Sequence, residues 1–393
     1  MKKYIFLTFA VFGIGGTQIY VRNKLLYLQK RGFEVKVLTT EADGEIMVKE
    51  LEAFAELTFP EVMNNPYLYS KNEREHILDK MCKALGEVDK DSVIESNFIQ
   101  ATLWGELLAQ KLKIKHFILL IQEDYTLGLA PYLKYYKFKL DRGELAVNTK
   151  FALKQLFSGY CDLPENLTAD LLPVCFNTVE DCQSRLPELL PKADYTIASL
   201  GRVNKPFVLP MVKELTQYAK LHKDKSFLLL FIGGSPDKND YEDIKNTATA
   251  DNLQVYITGP IFPVPYCLLK CADVFISSAG AARTSADEGF TTIVLDANDF
   301  KPMGIVGITT NDLVHRSPDS PIVPTELLLD EVLFQKKYPH TAKELSNIQP
   351  EIDTEFDRHL AYLDKSEKSL NYYDMKKIQP ALKRKIIKLI YHR

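Results

Sequence analysis

Two cations three positions apart follow an apolar run near the middle of the chain, in Gly201-Arg202-Val203-Asn204-Lys205-Pro206. A guanidinium presents a fork of donors that matches a phosphate, and an ammonium acts as a compact point charge. Held in a dry site past a strand end, such a pair stabilises negative charge growing on a departing phosphate. The same pair also suits a solvated surface flanking a strand end. Two more stretches could bring backbone amides to that charge. Gly233-Gly234 closes another apolar run, and Gly280-Ala281-Ala282 precedes a helix expected to begin near Ala281. The free N–H groups of a helix start attract anions, and Arg283, Thr284 and Ser285 would add donors in the first turn. Small residues there equally allow a strand to turn tightly into a helix.

Other candidates are weaker. Gly13-Ile14-Gly15-Gly16-Thr17 follows the first apolar run and partly matches a dinucleotide fingerprint, with Gln18 in place of the third glycine and Glu41 after the next strand. Glu95-Ser96-Asn97 and Gln122-Glu123-Asp124 each end an apolar run and are candidates to reach an acceptor, although capping and loop solvation explain them as well. Asp89-Lys90-Asp91 has the spacing of a metal-holding pair, yet it lies in a charged stretch and reads as a solvated loop. Cys267 and Cys271 lack a companion pair of ligands, so buried reduced thiols are the expectation, and no metal requirement is expected.

The elements that must carry these residues alternate. Tyr4–Phe12, Phe33–Thr39, Ser92–Glu95, His116–Gln122 and Leu145–Asn148 read as strands, with helices between them such as Ala101–Leu112. Lys30-Arg31-Gly32 closes the first helix. The rhythm restarts with strands at Asp194–Leu200, Ser226–Ile232, Leu253–Thr258, Ala272–Ser277 and Thr292–Leu295, and a helix at Val208–Leu221. Such alternation predicts parallel sheets in an α/β protein, with ligands beyond the carboxyl ends of the strands. With 393 residues, two domains are expected: 1–177, a linker over 178–193, 194–353, and C-terminal helices over 354–393 that cross back to the first domain.

Four pieces in order resemble the family 4 glycosyltransferases. They are the glycine loop with its Lys30-Arg31-Gly32-Phe33-Glu34-Val35 continuation, Gly201–Pro206, Phe231–Pro236, and Val255–Gly259 followed by Leu268–Ser278. Phe33 stands where that family has a histidine. The resemblance implies a GT-B fold, two Rossmann-like domains with parallel sheets facing across a cleft. It implies transfer of a sugar from a UDP- or GDP-linked donor to a glycan or lipid-linked acceptor, retaining and metal-independent, with no cofactor. In that mechanism the departing phosphate oxygen takes the acceptor's proton. Arg202 and Lys205 become the catalytic pair, and Gly15, Gly16, Gly233, Gly234, Gly259, Pro260, Gly280, Ala281, Ala282 and Arg283 the donor site. Glu288 would hold the ribose, and Glu95, Gln122 and Glu123 the acceptor. The sequence departs from the family in two respects. Arg202 and Lys205 are closer than the usual five positions, and the paired glutamates eight apart are missing, with only adjacent Asp287 and Glu288 present. A catalytically silent glycan-binding or assembly protein is therefore the rival from another class. A nucleotide-sugar 2-epimerase and a nicotinamide oxidoreductase are the enzymatic ones.

Composition adds limits. With 46% apolar and 26% charged residues and a formal charge of -3, nothing pulls the chain globally toward nucleic acid. Lys2-Lys3 before Tyr4–Phe12 imitates a signal peptide, but no small-x-small site follows, so a buried first strand and a cytoplasmic location are expected. Between Met375 and Arg393 stand seven Lys or Arg and no acid. That basic tail suits an anionic membrane surface, which would make the protein peripheral at the inner face of the plasma membrane, as in polysaccharide or capsule biosynthesis. Packing against the first domain is the alternative for the tail.

Overall fold

The computed structural model describes residues 2–9, 11–40, 44–54, 57–121, 132–161, 163, 171–172, 174, 179–317, 320–341 and 348–378. The chain forms two compact units, one from Met1–Cys175 with Gln349–Arg393 and the other from Phe176–Ile348.

Unit 1 is a parallel sheet wrapped by helices. In chain order it contains β1 (Lys3–Leu7), α1 (Gly16–Lys30), β2 (Glu34–Leu38), α2 (Lys71–Leu85), β3 (Val93–Ser96), α3 (Ile99–Leu112), β4 (Lys115–Leu120), α4 (Leu133–Asp141), β5 (Leu145–Val147) and α5 (Lys150–Leu156). The strand order is β2-β1-β3-β4-β5, all pairs parallel. After their polar opening residues, the interior strands β1 and β4 read as apolar runs, Tyr4–Leu7 and Phe117–Leu120, because both their faces are covered. Gly32, at φ +79°, ends α1, and the Gly32 and Phe33 amides donate back to the Gln29 and Leu28 carbonyls.

Unit 2 continues with β6 (Val179–Glu180), α6 (Leu186–Leu189), β7 (Tyr195–Leu200), α7 (Val208–Leu221), β8 (Phe227–Ile232), α8 (Asn239–Thr247), β9 (Leu253–Ile257), β10 (Val264–Pro265), α9 (Tyr266–Leu269), β11 (Val274–Ser277), α10 (Ala279–Asp287), β12 (Thr292–Leu295), β13 (Pro302–Ile305) and α11 (Thr325–Leu333). Its main sheet runs β13-β12-β11-β7-β8-β9. Alternate side chains serve two cores: Ile197, Leu229 and Phe231 face α7 and α11, while Ala198, Leu228 and Leu230 face α9.

The structure departs from the sequence reading in three places. Residues expected to be a linker are folded into unit 2, where β6 pairs with β10 and Val179 is buried. Two-residue strands have no periodicity to read. β13, absent from the strands read in the sequence, pairs antiparallel with β12 at the sheet edge, where Pro302 and Gly304 are tolerated. The last described helix, α12 (Ile348–Lys365), starts before the expected boundary at 354; from Gln349 on the chain is part of unit 1.

Unit 1 buries two charged networks. Lys24 and Glu95, both fully buried, pair at 2.5 Å, and the carboxylate also accepts from Tyr4 Oη (2.5 Å), Tyr20 Oη (2.7 Å) and Asn97 Nδ2 (2.8 Å). α12 joins this cluster, with His359 Nδ1 3.2 Å from Lys24 Nζ and Asp357 accepting from Tyr27 Oη at 2.6 Å. In the second network, Ser96 Oγ lies 2.9 Å from His116 Nε2, His116 Nδ1 lies 2.8 Å from Glu106, and Lys139 bridges Glu106 (3.0 Å) to Glu144 (2.7 Å). Burial opposes ionisation of Glu106, but the Lys139 charge and the His116 hydrogen bond outweigh it and hold the carboxyl at about 2. Burial likewise pushes His116 below its ordinary value, against the pull of Glu106.

Both shifts are depressions, so the stability they contribute is present at neutral pH and lost on acidification. The unfolded state takes up protons first at His116, from about pH 6.5 downward. It then does so at Glu106, between its ordinary value near 4.5 and about 2. We expect Tm to fall as pH drops below about 6.5, more shallowly below pH 4.5 in Glu106→Gln; parallel Tm curves would contradict this assignment. Gly105 lies against the same network, where an added Cβ would sit 2.4 Å from Ser96 Oγ and 2.5 Å from His116 Nε2. Gly105→Ala should cost about 1–3 kcal/mol in denaturant melts.

Candidate functional site

Strand order reverses in unit 2 at β7: the chain steps outward to β8 and β9, then re-enters on the other side at β11 and β12. In open parallel sheets this switch opens a crevice beyond the strands' carboxyl ends. β7 ends at Leu200 and β11 at Ser277, and the two ends are tied by Leu200 N–H donating to Ser277 Oγ at 3.1 Å. Gly201–Pro206 and the start of α10 therefore leave the sheet side by side. A Cβ on Gly201 would lie 3.9 Å from Lys205 Nζ and 3.7 Å from the Ala281 methyl. The Lys205 ammonium and the first turn of α10 thus converge on one point. Arg202 begins the same loop, exposed, and its guanidinium forms no ion pair or hydrogen bond with another described residue.

Helix α10 starts at Ala279, two residues earlier than expected. Ser278 is its N-cap without a side-chain hydrogen bond, and the Ala279 amide donates to the Leu313 carbonyl at 2.8 Å. The amides of Gly280 and Ala281 follow in the turn where a helix has no internal acceptors. Ala279 itself sits at φ +53°, a left-handed conformation that costs a non-glycine residue about 1–2 kcal/mol. Strain of this kind concentrates at ligand clamps.

The glycines serve a different contact from the one expected. A Cβ on Gly233 (φ +145°) would come within 2.0 Å of the Gly201 carbonyl oxygen. One on Gly234 would meet Pro260 Cδ at 2.5 Å. Gly233 N–H donates to Thr258 Oγ1, whose hydroxyl donates to the Gly259 carbonyl. Gly233 and Gly234 let three loops close on one another, and the first of these is the loop that carries Arg202 and Lys205.

Several expected donors point elsewhere. Arg283 is exposed and pairs with Asp287 at 3.2 Å along the helix. Thr284 Oγ1 donates back to the Gly280 carbonyl, and Ser285 Oγ to the Ala281 and Ala282 carbonyls. Hydroxyls inside a helix satisfy themselves this way, so none of the three adds a donor at the helix start. Ala282 is buried. Glu288 caps the far end of α10 and is buried near Tyr266, whose phenol is pushed up by burial and by the Glu288 charge.

In unit 1 the corresponding reversal lies between β1 and β3. Gly15 caps α1 in extended conformation and Gly16 begins it, with no side-chain cap. Glu95, expected at the acceptor, is instead fully buried with four donors on its carboxylate, because β3 presents it to α1 rather than to the strand ends. Gln122 and Glu123 lie outside the described residues. Sequence reading missed Thr8, which follows β1, whereas Asn97, which follows β3, belongs to the expected Glu95-Ser96-Asn97 stretch. Thr8 Oγ1 and Asn97 Oδ1 are buried and lack a hydrogen-bond partner among the described residues. Their position after strands at a switch point was the available signal. Asp89 of the Asp-Lys-Asp stretch accepts the Asp91 amide in an exposed turn, and the five described cysteines are free thiols.

No family model matches the chain, and no curated protein matches it. Among solved structures it is similar to a glycosyltransferase from Rickettsia africae ESF-5, at 16% identity over 99% of each chain with a TM-score of 0.56. That likeness shows the fold alone, two Rossmann-like domains of the GT-B kind. The chain also aligns with S. aureus TarM, at 10% identity, 100% of each chain and a TM-score of 0.49. A third alignment is with UDP-GlcNAc 2-epimerase from Neisseria meningitidis, at 14% identity, 99% of this chain and 100% of that one, and a TM-score of 0.47.

The fit of Gly233 against Gly201 makes a sharp prediction. Gly233→Ala should displace the Gly201–Lys205 loop, because the obstacle is backbone and cannot rotate away. We expect a loss of about 1–3 kcal/mol in stability, read by denaturant melts. Unchanged stability would mean the loops do not touch.

Proposed function

We propose that this chain is a glycosyltransferase that moves a sugar from a nucleotide diphosphate donor to a hydroxyl of a glycan or lipid-linked acceptor. The convergence of Lys205 and the first turn of α10 beside Gly201, at the strand switch of unit 2, carries the reading. The diphosphate would take the Gly280 and Ala281 amides, the Lys205 ammonium and the Arg202 guanidinium, all aimed at charge that grows as the donor bond breaks. In the retaining, metal-independent course, the bond from the anomeric carbon to the phosphate oxygen breaks. The acceptor oxygen bonds to that carbon on the same face, and its proton passes to the departing phosphate oxygen. TarM is bound to UDP and the Neisseria epimerase to UDP-GlcNAc. On unit 1, Thr8 and Asn97 would offer a hydroxyl and an amide to acceptor hydroxyls. The seven cations between Met375 and Arg393 favour an acceptor at an anionic lipid surface; residues 379–393 lie outside the described ones. Among the described residues no helix is long and apolar enough to cross a membrane.

One observation favours a silent, glycan-binding relative. Glu288, the acid proposed for the ribose, is buried at the end of α10, and Asp287 is taken by Arg283. A turnover screen over UDP- and GDP-sugars separates the readings. A transferase hydrolyses or transfers one of them, and Arg202→Ala and Lys205→Ala each lower turnover about 10²–10³-fold. Release of an epimerised sugar nucleotide would identify an epimerase. Absence of both turnover and tight nucleotide binding would leave the silent reading.

A further inference from the structure

A second group of side chains with converging chemistry lies near the amino-terminal edge of the unit 2 sheet, where α7 ends beside α11. His222 caps α7, its amide donating to the Tyr218 and Ala219 carbonyls. Its ring is held between Tyr218 and Phe334, at centroid separations of 4.5 Å and 4.9 Å. That packing aims Nε2 at Asp330, 3.5 Å from Oδ1, yet Nε2 is buried with no hydrogen-bond partner among the described residues. The Tyr218 hydroxyl donates to the same Asp330 oxygen at 2.8 Å and so fixes the carboxylate. Glu326 stands one turn earlier on the same face of α11. Its carboxylate takes no hydrogen bond or ion pair from another described residue.

The imidazole nitrogen and one oxygen from each of the two carboxylates lie within 4.8 Å of one another. Two like charges this close repel unless something positive stands between them. Two lysines of unit 2 are committed elsewhere: Lys301 pairs with Glu214 at 2.6 Å, and Lys337 with Glu331 at 2.7 Å. A neutral imidazole with two carboxylates is the donor set of a borderline divalent ion, whereas magnesium and calcium take oxygen throughout. Beside Glu326 opens a cavity of about 370 Å³, lined by Tyr218, Glu214, Lys301, Pro324 and Thr325 among others. Glu326 itself lines this cavity, so an ion can approach that carboxylate from solvent.

The geometry points to a divalent cation site of the zinc class at His222, Glu326 and Asp330. Tyr218 orients Asp330, and the flanking Tyr218 and Phe334 rings orient His222, as partners of metal ligands do. The ion would join the end of α7 to α11 and replace a carboxylate repulsion with two metal contacts. It stands apart from the loops proposed to hold the diphosphate, so its role is to stabilise unit 2 rather than to act in sugar transfer.

Chelator-stripped full-length protein titrated calorimetrically with Zn²⁺ tests this, with Tm measured alongside. One equivalent should bind and raise Tm. Glu326→Gln, a change at an exposed position that leaves folding intact, should weaken binding about tenfold or more, and His222→Ala should remove it. Co²⁺ bound in place of Zn²⁺ should show ligand-field bands without sulfur charge transfer. The assignment is overturned if the wild type takes up no ion. It is equally overturned if both variants bind as the wild type does, or if the Co²⁺ spectrum carries a thiolate band, which would place the ion on the cysteines.

Discussion

Between β7 and β11 the strand order of unit 2 reverses, and a hydroxyl spans the reversal. Ser277 Oγ accepts the Leu200 amide and stands 3.5 Å from Ser199 Oγ, so the last turns of two neighbouring strands are tied together before their loops diverge. The loop after β7 and the helix after β11 must then begin next to each other. Gly201 separates them with no side chain, and only for that reason can the Lys205 ammonium and the Ala281 methyl approach the same point. The neighbouring loops close over this arrangement through Gly233 and Gly234, which leave no room for a Cβ. Preorganised charge of this kind costs nothing to arrange when a ligand arrives, which is why such positions suit chemistry at a phosphate.

Strands buried on both faces were the most legible part of the chain. Phe227–Ile232 is six apolar residues in a row, fully buried, and admits little other reading. Helices ended by Gly32 or opened beyond a strand were also legible, because their termini use local chemistry. Elements whose stability comes only from contacts distant in sequence were not. β6 and β10 are two residues each and exist because they pair across 85 positions. β13 carries a proline and a glycine and is held by its partner. At the site, the positions of Arg202 and Lys205 after a strand could be read, but the destinations of side chains could not. Glu95 looked like a strand-end acid, yet its register in β3 turns it toward Lys24. Thr284 and Ser285 looked like free donors, and the helix they sit in consumes both.

The two units treat charge differently. Unit 1 places Lys24, Lys139, Glu95 and Glu106 in its interior and satisfies each through several partners. Buried pairs of this kind add little net stability over an apolar core, but leaving one member unpaired is costly. They therefore enforce one packing of α1, α3, α4 and α12 on the sheet. Among the described residues unit 2 buries no Lys or Arg, and Arg202 and Lys205 stand just past a strand end, where a ligand can reach them.

The way α12 is recruited has a consequence for biogenesis. In chain order unit 2 is inserted into unit 1, whose closing helix and the Tyr373 amide on Glu106 are translated after unit 2. A nascent chain that has emitted its first 175 residues holds Lys24 and Glu95 without the helix that covers them. Unit 2, continuous in sequence, has everything it needs as soon as it leaves the ribosome. Synthesis thus delivers a finished second unit ahead of a first one that waits for its lid.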